Sequence, residues 1–299
     1  MAAKGDFRRF FNIRLFSGKN KIGDIMTIRT DLVSEENIAE SNDIKTKQIS
    51  VDDVIIEMAE IQSDEAASRI NKPKGKYCTI RFDRLDSISD TAPLKKAIVT
   101  ALGELTENKN DNALVVGLGN ADITPDALGP VCAGSVIATR HISGELKSSL
   151  GLQGLHTVSC ISPGVLGKTG IEAADIIKAT ADRINPDVII AVDALAARTP
   201  QNLCRTIQMT DSGIAPGSGV KNERAALCEK NLGVKTIAIG IPTVIDASCL
   251  SERLNTDENM MVTPKEIDLL VSRAAAVIAR ALNMFFQPSL NEEEIESLS

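Results

Sequence analysis

The chain contains no tryptophan, one tyrosine and two histidines among its 299 residues. Aromatic platforms on which nucleic-acid bases could stack are therefore almost absent, and the net charge of −7 opposes a role in coating DNA. No apolar run approaches the roughly 20 residues that a membrane-spanning helix needs. The apolar content of 43% is ordinary for a globular protein. These features favour a globular protein without a direct nucleic-acid or membrane partner.

Cysteine pairs at the spacing of a zinc site or a redox motif are also missing. None of the six cysteines belongs to a C-x-x-C pair, and several lie in apolar segments. This usage predicts reduced, mostly buried thiols in a cytoplasmic compartment, without a zinc cluster. The cysteines are Cys78, Cys132, Cys160, Cys204, Cys228 and Cys249.

The first 26 residues are basic and contain Phe10 and Phe11. They lack the continuous apolar region and the small-residue cleavage site of a secretory signal. A transit peptide, a surface-binding helix and a removable pro-segment remain open as interpretations of this segment.

From about residue 113 onward, apolar runs alternate with helical periods. Four runs are typical of strands buried on both faces, namely Ala113–Leu118, Leu155–Ile161, Val188–Val192 and Lys235–Ile241. Helical patterns include Pro93–Leu105, Pro130–His141 and the stretch from Thr263 to Phe285. The alternation predicts one α/β domain, with an open, mostly parallel sheet and helices on both faces. Such folds bind ligands at the carboxyl ends of the strands.

Two carboxylates follow predicted strands at these positions. Asp126 lies in the turn Thr124–Pro130, and Asp193 directly follows the apolar run Val188–Val192. Asp126 alone could be an acid in the first turn of a helix, and Asp193 could cap a helix or pair with Arg198. Together they fit a carboxylate pair in which one group holds a proton and the other activates water.

Other catalytic and binding patterns are weaker. Gly117 and Gly119 follow a strand, but the third glycine of a dinucleotide fingerprint is missing and Asp122 would repel phosphate, so no nucleotide cofactor is expected. No serine occupies a G-x-S-x-G turn, and a Cys–His nucleophile has no local signature. A divalent ion held by the two acids with His141 or His156 remains an alternative.

Several long segments resemble the spore germination protease family. They are Ile28–Leu32, Val115–Asn120, Thr124–Pro130, Thr139–His141, Ser162–Glu172, Ala191–Arg198, Asp211–Asn222, Ile237–Ala247 and Met261–Asp268. The resemblance covers most of the chain from Ile28 to about Met284. Two segments depart from the family: the one before Ile28, and the one between Ala247 and Met261, which is much shorter here.

The resemblance implies an atypical aspartic endopeptidase whose fold is similar to that of hydrogenase-maturation peptidases. Members are made as zymogens in the forespore and assemble as tetramers. During germination they cut the small acid-soluble proteins that coat spore DNA. The family's catalytic acids fall on Asp126 and Asp193, and the glycine-rich turns suggest substrate-binding positions at Gly117, Gly119, Asn120, Gly217 and Gly219.

This interpretation divides the chain into a pro-segment at 1–26, a single peptidase domain at 27–290 and a loose acidic tail at 291–299. No cofactor is expected, and the partners are the substrate proteins and further copies of the chain. The spore core is the expected location. A metal-dependent peptidase of the same fold and an inactive binder of spore proteins are the alternatives.

Overall fold

The computed structural model describes residues 30–36, 38, 41–106, 111–149, 152, 154–215, 226–250 and 260–298. The predicted pro-segment 1–26 and the predicted substrate-binding residues Gly217 and Gly219 lie outside these ranges.

The described strands form one sheet in the order β1-β2-β3-β7-β8-β6-β4-β5, with β9 added to β8. Their bounds are β1 Ile44–Val51, β2 Val54–Ile61, β3 Gly75–Arg81, β4 Asn112–Gly117, β5 Thr157–Ile161, β6 Val188–Ala197, β7 Thr206–Thr210, β8 Lys235–Asp246 and β9 Met261–Val262. The strands β5, β4, β6 and β8 are parallel to their neighbours in this group. The pairs from β1 through β7 to β8, and the pair β8–β9, are antiparallel.

The helices in the described part of the chain are α1 Asp64–Ile70, α2 Ala92–Thr106, α3 Leu128–Gly134, α4 Gly144–Ser149, α5 Leu166–Thr169, α6 Ala173–Ile184, α7 Glu229–Leu232, α8 Ile267–Phe286 and α9 Glu292–Leu298. Short 3-10 turns cover Val33–Glu35, Thr124–Asp126 and Ala247–Cys249.

Helices cover both faces of the sheet, as the sequence predicts. The larger core lies between one face and α2, α3 and α8, with Ile98, Leu128 and Ile278 fully buried. The smaller core lies on the other face, where Ile177 of α6 and Leu232 of α7 pack against β4 and β6. Two-sided burial explains why the central strands are continuous apolar runs. The α/β fold class is therefore confirmed.

The antiparallel half of the sheet combines β7 with three strands from the segment before residue 82, β1, β2 and β3. Four consecutive residues of the edge strand β1, Lys45–Gln48, are exposed, so their side chains lack the apolar pattern of a central strand. The sheet is parallel on one side, from β8 to the edge strand β5, and antiparallel on the other side, from β7 to the edge strand β1.

The helix predicted at Pro130–His141 is shorter and begins earlier than expected. It spans Leu128–Gly134. Beyond it the backbone N–H groups of Thr139 and Arg140 both donate to the Val158 carbonyl of β5, at 3.0 and 3.1 Å. The chain that follows the helix is thereby attached to β5.

The acidic segment predicted as loose forms α9 over Glu292–Leu298. Asn291 and Glu294 cap its start reciprocally, each backbone N–H donating to the other's side chain. Ile295 is 2% exposed, and Lys95 forms an ion pair with Glu292. One buried residue and these polar contacts are sufficient to order the segment.

The 20-residue helix α8 is long and apolar enough to cross a membrane by length and composition. In this structure it packs in the larger core, where Val271, Ala275, Ile278 and Leu282 are almost completely buried.

Candidate active site

The candidate site lies at the carboxyl ends of β4 and β6, where β4 stops before β6 does and leaves a step in the sheet. The strand β4 ends at Gly117, whose partner on β6 is Val192, whereas β6 continues to Ala197 alongside β8. Asp193 is the first residue of β6 beyond that last β4 pair. The sequence predicted a strand over Val188–Val192; the strand runs further because β8 pairs with it as far as Ala197. Asp193 is thus held by a rigid strand at a point where the neighbouring strand has stopped.

Asp126 reaches the same region from the turn that follows β4. Gly119 has φ +111°, a conformation that favours glycine, and an added Cβ there would lie 2.1 Å from the Asp126 carbonyl oxygen. The backbone N–H of Asn120 donates to Asp126 Oδ2 over 2.7 Å. The hydroxyl of Thr243 donates to the Pro125 carbonyl over 2.7 Å and attaches the turn to β8. Asp126 is therefore held by backbone contacts on both sides.

Asp126 and Asp193 both line one cleft with a volume of about 1080 Å³. Asp193 is 6% exposed, and its Oδ1 accepts the N–H of Ala194 over 2.9 Å, whereas Asp126 is half-buried. The other charged residues that line the cleft are Asp31, Glu36, Arg69, Lys72 and Arg198. The structure thus brings together the two acids that the sequence selected.

Close backbone contacts fix the turn against the strand. An added Cβ on Gly129, at the start of α3, would lie 2.3 Å from both the Leu118 and the Val192 carbonyl oxygens. The Leu118 N–H donates to that same Val192 carbonyl over 2.8 Å. Three backbone segments therefore meet immediately before Asp193, and only glycine fits at their junction.

Residues Thr30–Glu36 form a strap across the end of β6. Leu32 is fully buried and packs with Leu195 and Ala197. The N–H of Asp31 donates to the Ala196 carbonyl, and the Ala196 N–H donates back to Asp31 Oδ2. The strap thereby forms one wall of the cleft.

Glu35 anchors the strap through its carboxylate. It accepts backbone N–H groups from Arg198 and Thr199, at 2.6 and 2.8 Å, and the side-chain amide of Asn202 at 2.8 Å. Burial by itself raises the pKa of Glu35, but hydrogen bonds from Thr30, Asn202 and Thr199 outweigh it, so the pKa lies below its ordinary value.

Arg198, the partner that the sequence suggested for Asp193, forms an ion pair with Glu36 of the strap. Its Nη2 lies 2.7 Å from Glu36 Oε1. This ion pair places a cation at the cleft wall, outside the carboxylate pair.

Two further titratable groups line the cleft. Burial lowers the pKa of Lys72, although Asp31 and Glu36 oppose that effect, and its Nζ donates to the Thr30 carbonyl over 2.5 Å. Burial raises the pKa of Tyr77 to about 12, so its hydroxyl stays protonated at neutral pH and donates to the Pro73 carbonyl.

Unlike the two predicted acids, the predicted substrate-binding residues that the structure describes do not line the cleft. An added Cβ on Gly117 would lie 2.2 Å from the Gly129 carbonyl oxygen, so Gly117 serves close packing of α3. Gly119 and Asn120 shape the Asp126 turn. Among the described residues, none of these three lines the cleft, and Gly217 and Gly219 lie outside those residues.

The histidines do not complete a metal site with the two acids. His156 precedes β5, and its Nε2 lies 3.8 Å from Oδ1 of Asp111, just before β4. A strand of six residues separates that edge from the carboxyl end by about 20 Å. His141 is exposed. Among the residues that the structure describes, no group of three or more His, Cys, Asp or Glu side chains is arranged to hold a metal.

Sequence reasoning missed Lys72 and Gln208 as cleft residues. A signal existed for Gln208, because glutamine is rarely buried and this one lies within the short strand Thr206–Thr210. No local pattern marks Lys72, which reaches the cleft only because the polar N-terminal part folds onto the sheet.

The sequence profile of the germination protease family matches residues 23–256. The germination protease of Caldanaerobacter subterraneus subsp. tengcongensis is 35% identical over 92% of this chain and 98% of its own length. That of Clostridium tetani is 34% identical over 91% and 99%, and that of Priestia megaterium is 41% identical over 74% and 64%.

A solved structure, the [NiFe] hydrogenase maturation protease HycI from Thermococcus kodakarensis, aligns with 61% of this chain and 98% of its own. The identity is 16% and the TM-score 0.37, which is too low a similarity to bear on fold or function. The sequence comparisons suffice for the assignment, because they extend over most of both chains. The chain belongs to the germination protease family.

Proposed function

We propose that this chain is an atypical aspartic endopeptidase that starts the degradation of small acid-soluble, DNA-coating spore proteins during germination. Membership of a protease family supports peptide hydrolysis. The observation that carries the catalytic type is that Asp126 and Asp193 line the same cleft at the step in the sheet. An open cleft about 1080 Å³ in volume has room for an extended peptide.

In the proposed mechanism the two carboxylates share one proton. The ionised member takes a proton from a water molecule, and the water oxygen attacks the carbonyl carbon of the scissile peptide. The protonated member donates a hydrogen bond to the carbonyl oxygen and so stabilises the developing negative charge. When the tetrahedral intermediate breaks down, the leaving nitrogen takes a proton from the pair, and the carbon–nitrogen bond breaks.

The proposal includes a zymogen and an assembly. Residues 1–26 form the removable pro-segment, and the strap that follows at Thr30–Glu36 remains with the mature domain. The active form is a homotetramer in the forespore or spore core. The family resemblance of the segments beginning at Ile28 supports these parts of the proposal.

The test is mass spectrometry of the purified protein mixed with an α/β-type small acid-soluble spore protein. The full chain and a chain lacking residues 1–26 are assayed with and without EDTA. Discrete fragments from at least the shortened chain, unaffected by EDTA, are expected. Size-exclusion chromatography with light scattering measures the oligomeric state of both forms.

Asp126→Asn and Asp193→Asn are each expected to abolish cleavage without unfolding the protein. Asp122→Asn is the matched control, because Asp122 lies in the same turn, with its side chain 71% exposed, and pairs with Lys168. Full activity of a folded Asp126→Asn or Asp193→Asn variant would exclude the carboxylate pair. Substrate that binds but stays intact would support an inactive binder, and activity lost in EDTA would support a metal-dependent peptidase.

A further inference from the structure

Gln208 is a buried polar residue in the floor of the cleft. It is 5% exposed and lines the cleft that contains both acids. Its neighbours on β7, Ile207 and Met209, point into the larger core on the opposite face of the sheet. The amide therefore occupies the face from which Asp193 also projects.

The strand register places Gln208 and Asp193 in one row across the sheet. Gly240 of β8 is the partner of Gln208 on one side and of Asp193 on the other. Paired residues project from the same face of a sheet. Neighbouring strands are about 4.8 Å apart, so Gln208 and Asp193, two strands apart, are separated by roughly 10 Å. Leu195 covers Gly240, where an added Cβ would lie 2.5 Å from Leu195 Cγ. An apolar surface thus separates the acid from the amide.

The strap determines which way the amide of Gln208 is turned. The backbone N–H of Val33 donates to Gln208 Oε1 over 2.9 Å. Because an N–H requires an acceptor, this bond fixes the oxygen toward the strap and leaves Nε2 on the other side. Nε2 is buried and has no hydrogen-bond partner among the described residues.

A buried donor without an acceptor is unfavourable, and Gln208 lines the cleft, so a ligand in the cleft is a candidate acceptor for this hydrogen. A neutral amide donor is matched by a neutral acceptor, and an extended peptide supplies one carbonyl per residue at intervals of about 3.3 Å. At roughly 10 Å from Asp193, the acceptor would lie within about three residues of the scissile bond.

We propose that Gln208 is a substrate-positioning residue, whose Nε2 donates a hydrogen bond to a backbone carbonyl of the bound peptide near the scissile bond. The inference rests on the proposed function. In this arrangement the strap acts on the substrate indirectly, because Val33 holds the amide in the orientation that presents its donor.

The experiment measures kcat and KM for a peptide that spans the bond cut in the spore-protein assay. Gln208→Glu keeps an oxygen for the Val33 N–H but replaces the Nε2 donor, and Gln208→Met removes both polar atoms at similar length. Each folded variant is expected to lose roughly 10- to 100-fold in kcat/KM. Gln201→Met, at an exposed position, is the control and is expected to cleave like the wild type.

A second measurement separates substrate contact from support of the fold. A series of peptides carries a thioamide at one carbonyl at a time, because sulfur is a weaker acceptor. The wild type is expected to lose rate at one position near the scissile bond, and folded Gln208 variants are expected to lose that positional effect.

Equal kcat/KM in the wild type and in either folded variant would overturn the inference and assign the Nε2 hydrogen to a buried water. The same thioamide profile in wild type and variant would also overturn it. A wild type that cleaves no spore protein would overturn the proposed function and this inference together.

Discussion

Asp31 and Ala196 exchange two hydrogen bonds across the end of the candidate active site. The Asp31 N–H donates to the Ala196 carbonyl over 3.1 Å, and the Ala196 N–H donates to Asp31 Oδ2 over 2.8 Å. Ala196 lies three residues after Asp193 on the same strand. The strap therefore holds the part of β6 that carries a proposed catalytic acid.

Asp31→Ala is expected to lower both stability and activity, because it removes a hydrogen bond between a charged group and the backbone, a type worth about 1.5–3 kcal/mol. Asp31→Asn keeps an oxygen that can accept the Ala196 N–H and is expected to lose less of each. Thermal unfolding and spore-protein cleavage measure the two effects. Identical behaviour of the Ala and Asn variants would show that the bond to Ala196 does not hold β6.

Gly129→Ala is expected to displace the Asp126 turn from β6, since its Cβ would lie 2.3 Å from two carbonyl oxygens. We expect a loss of about 1–3 kcal/mol in the free energy of unfolding. Displacement of the proposed acids by about 1 Å would lower the cleavage rate by about 100-fold.

Gly134→Ala is the matched control in the same helix, because its Cβ would meet no atom within 4 Å. Its stability is expected to stay within about 1 kcal/mol of the wild type. Chemical denaturation and the cleavage assay compare the two variants, and equal effects would refute the role of the backbone junction.

Glu35→Gln is expected to change how stability depends on pH. The pKa of Glu35 is lowered in the folded state, so its stabilising contribution is present above the ordinary value of 4.5 and is lost as pH falls through the folded value. Melting temperatures of wild type and variant should differ at pH 7 and converge as pH falls below 4.5 and through the folded value. The exposed Glu65 provides the control Glu65→Gln, and a difference that is constant with pH would contradict the prediction.

The buried cysteines are expected to resist alkylation in the folded protein. Burial raises the pKa of Cys78 to about 12 and that of Cys204 to about 11, so thiolate is scarce at pH 8. Mass spectrometry after iodoacetamide treatment should find these residues modified only after denaturation. Cleavage should survive the treatment, and its loss would favour the cysteine nucleophile that the sequence left open.

The parallel part of the sheet was predictable, and the two acids could be chosen as candidates, because these signals are local. Strands buried on both faces must be apolar throughout, and a carboxylate directly after such a run, as at Asp193, is conspicuous. The edge strand β1 gave no such signal, since Lys45–Gln48 are exposed. The position of Lys72 in the cleft depends on contacts between segments distant in the chain, which no local pattern encodes.

The step in the sheet has a consequence for solubility. In the part of the chain that the structure describes, no strand pairs with β6 on the β4 side beyond Gly117, and unpaired strand edges are templates for pairing with other chains. The strap occupies this edge through Asp31 and Glu35, whose groups bind the backbone at Ala196, Arg198 and Thr199. A chain that lacks residues 1–36 would expose that edge. We expect it to aggregate before any loss of catalysis could be measured.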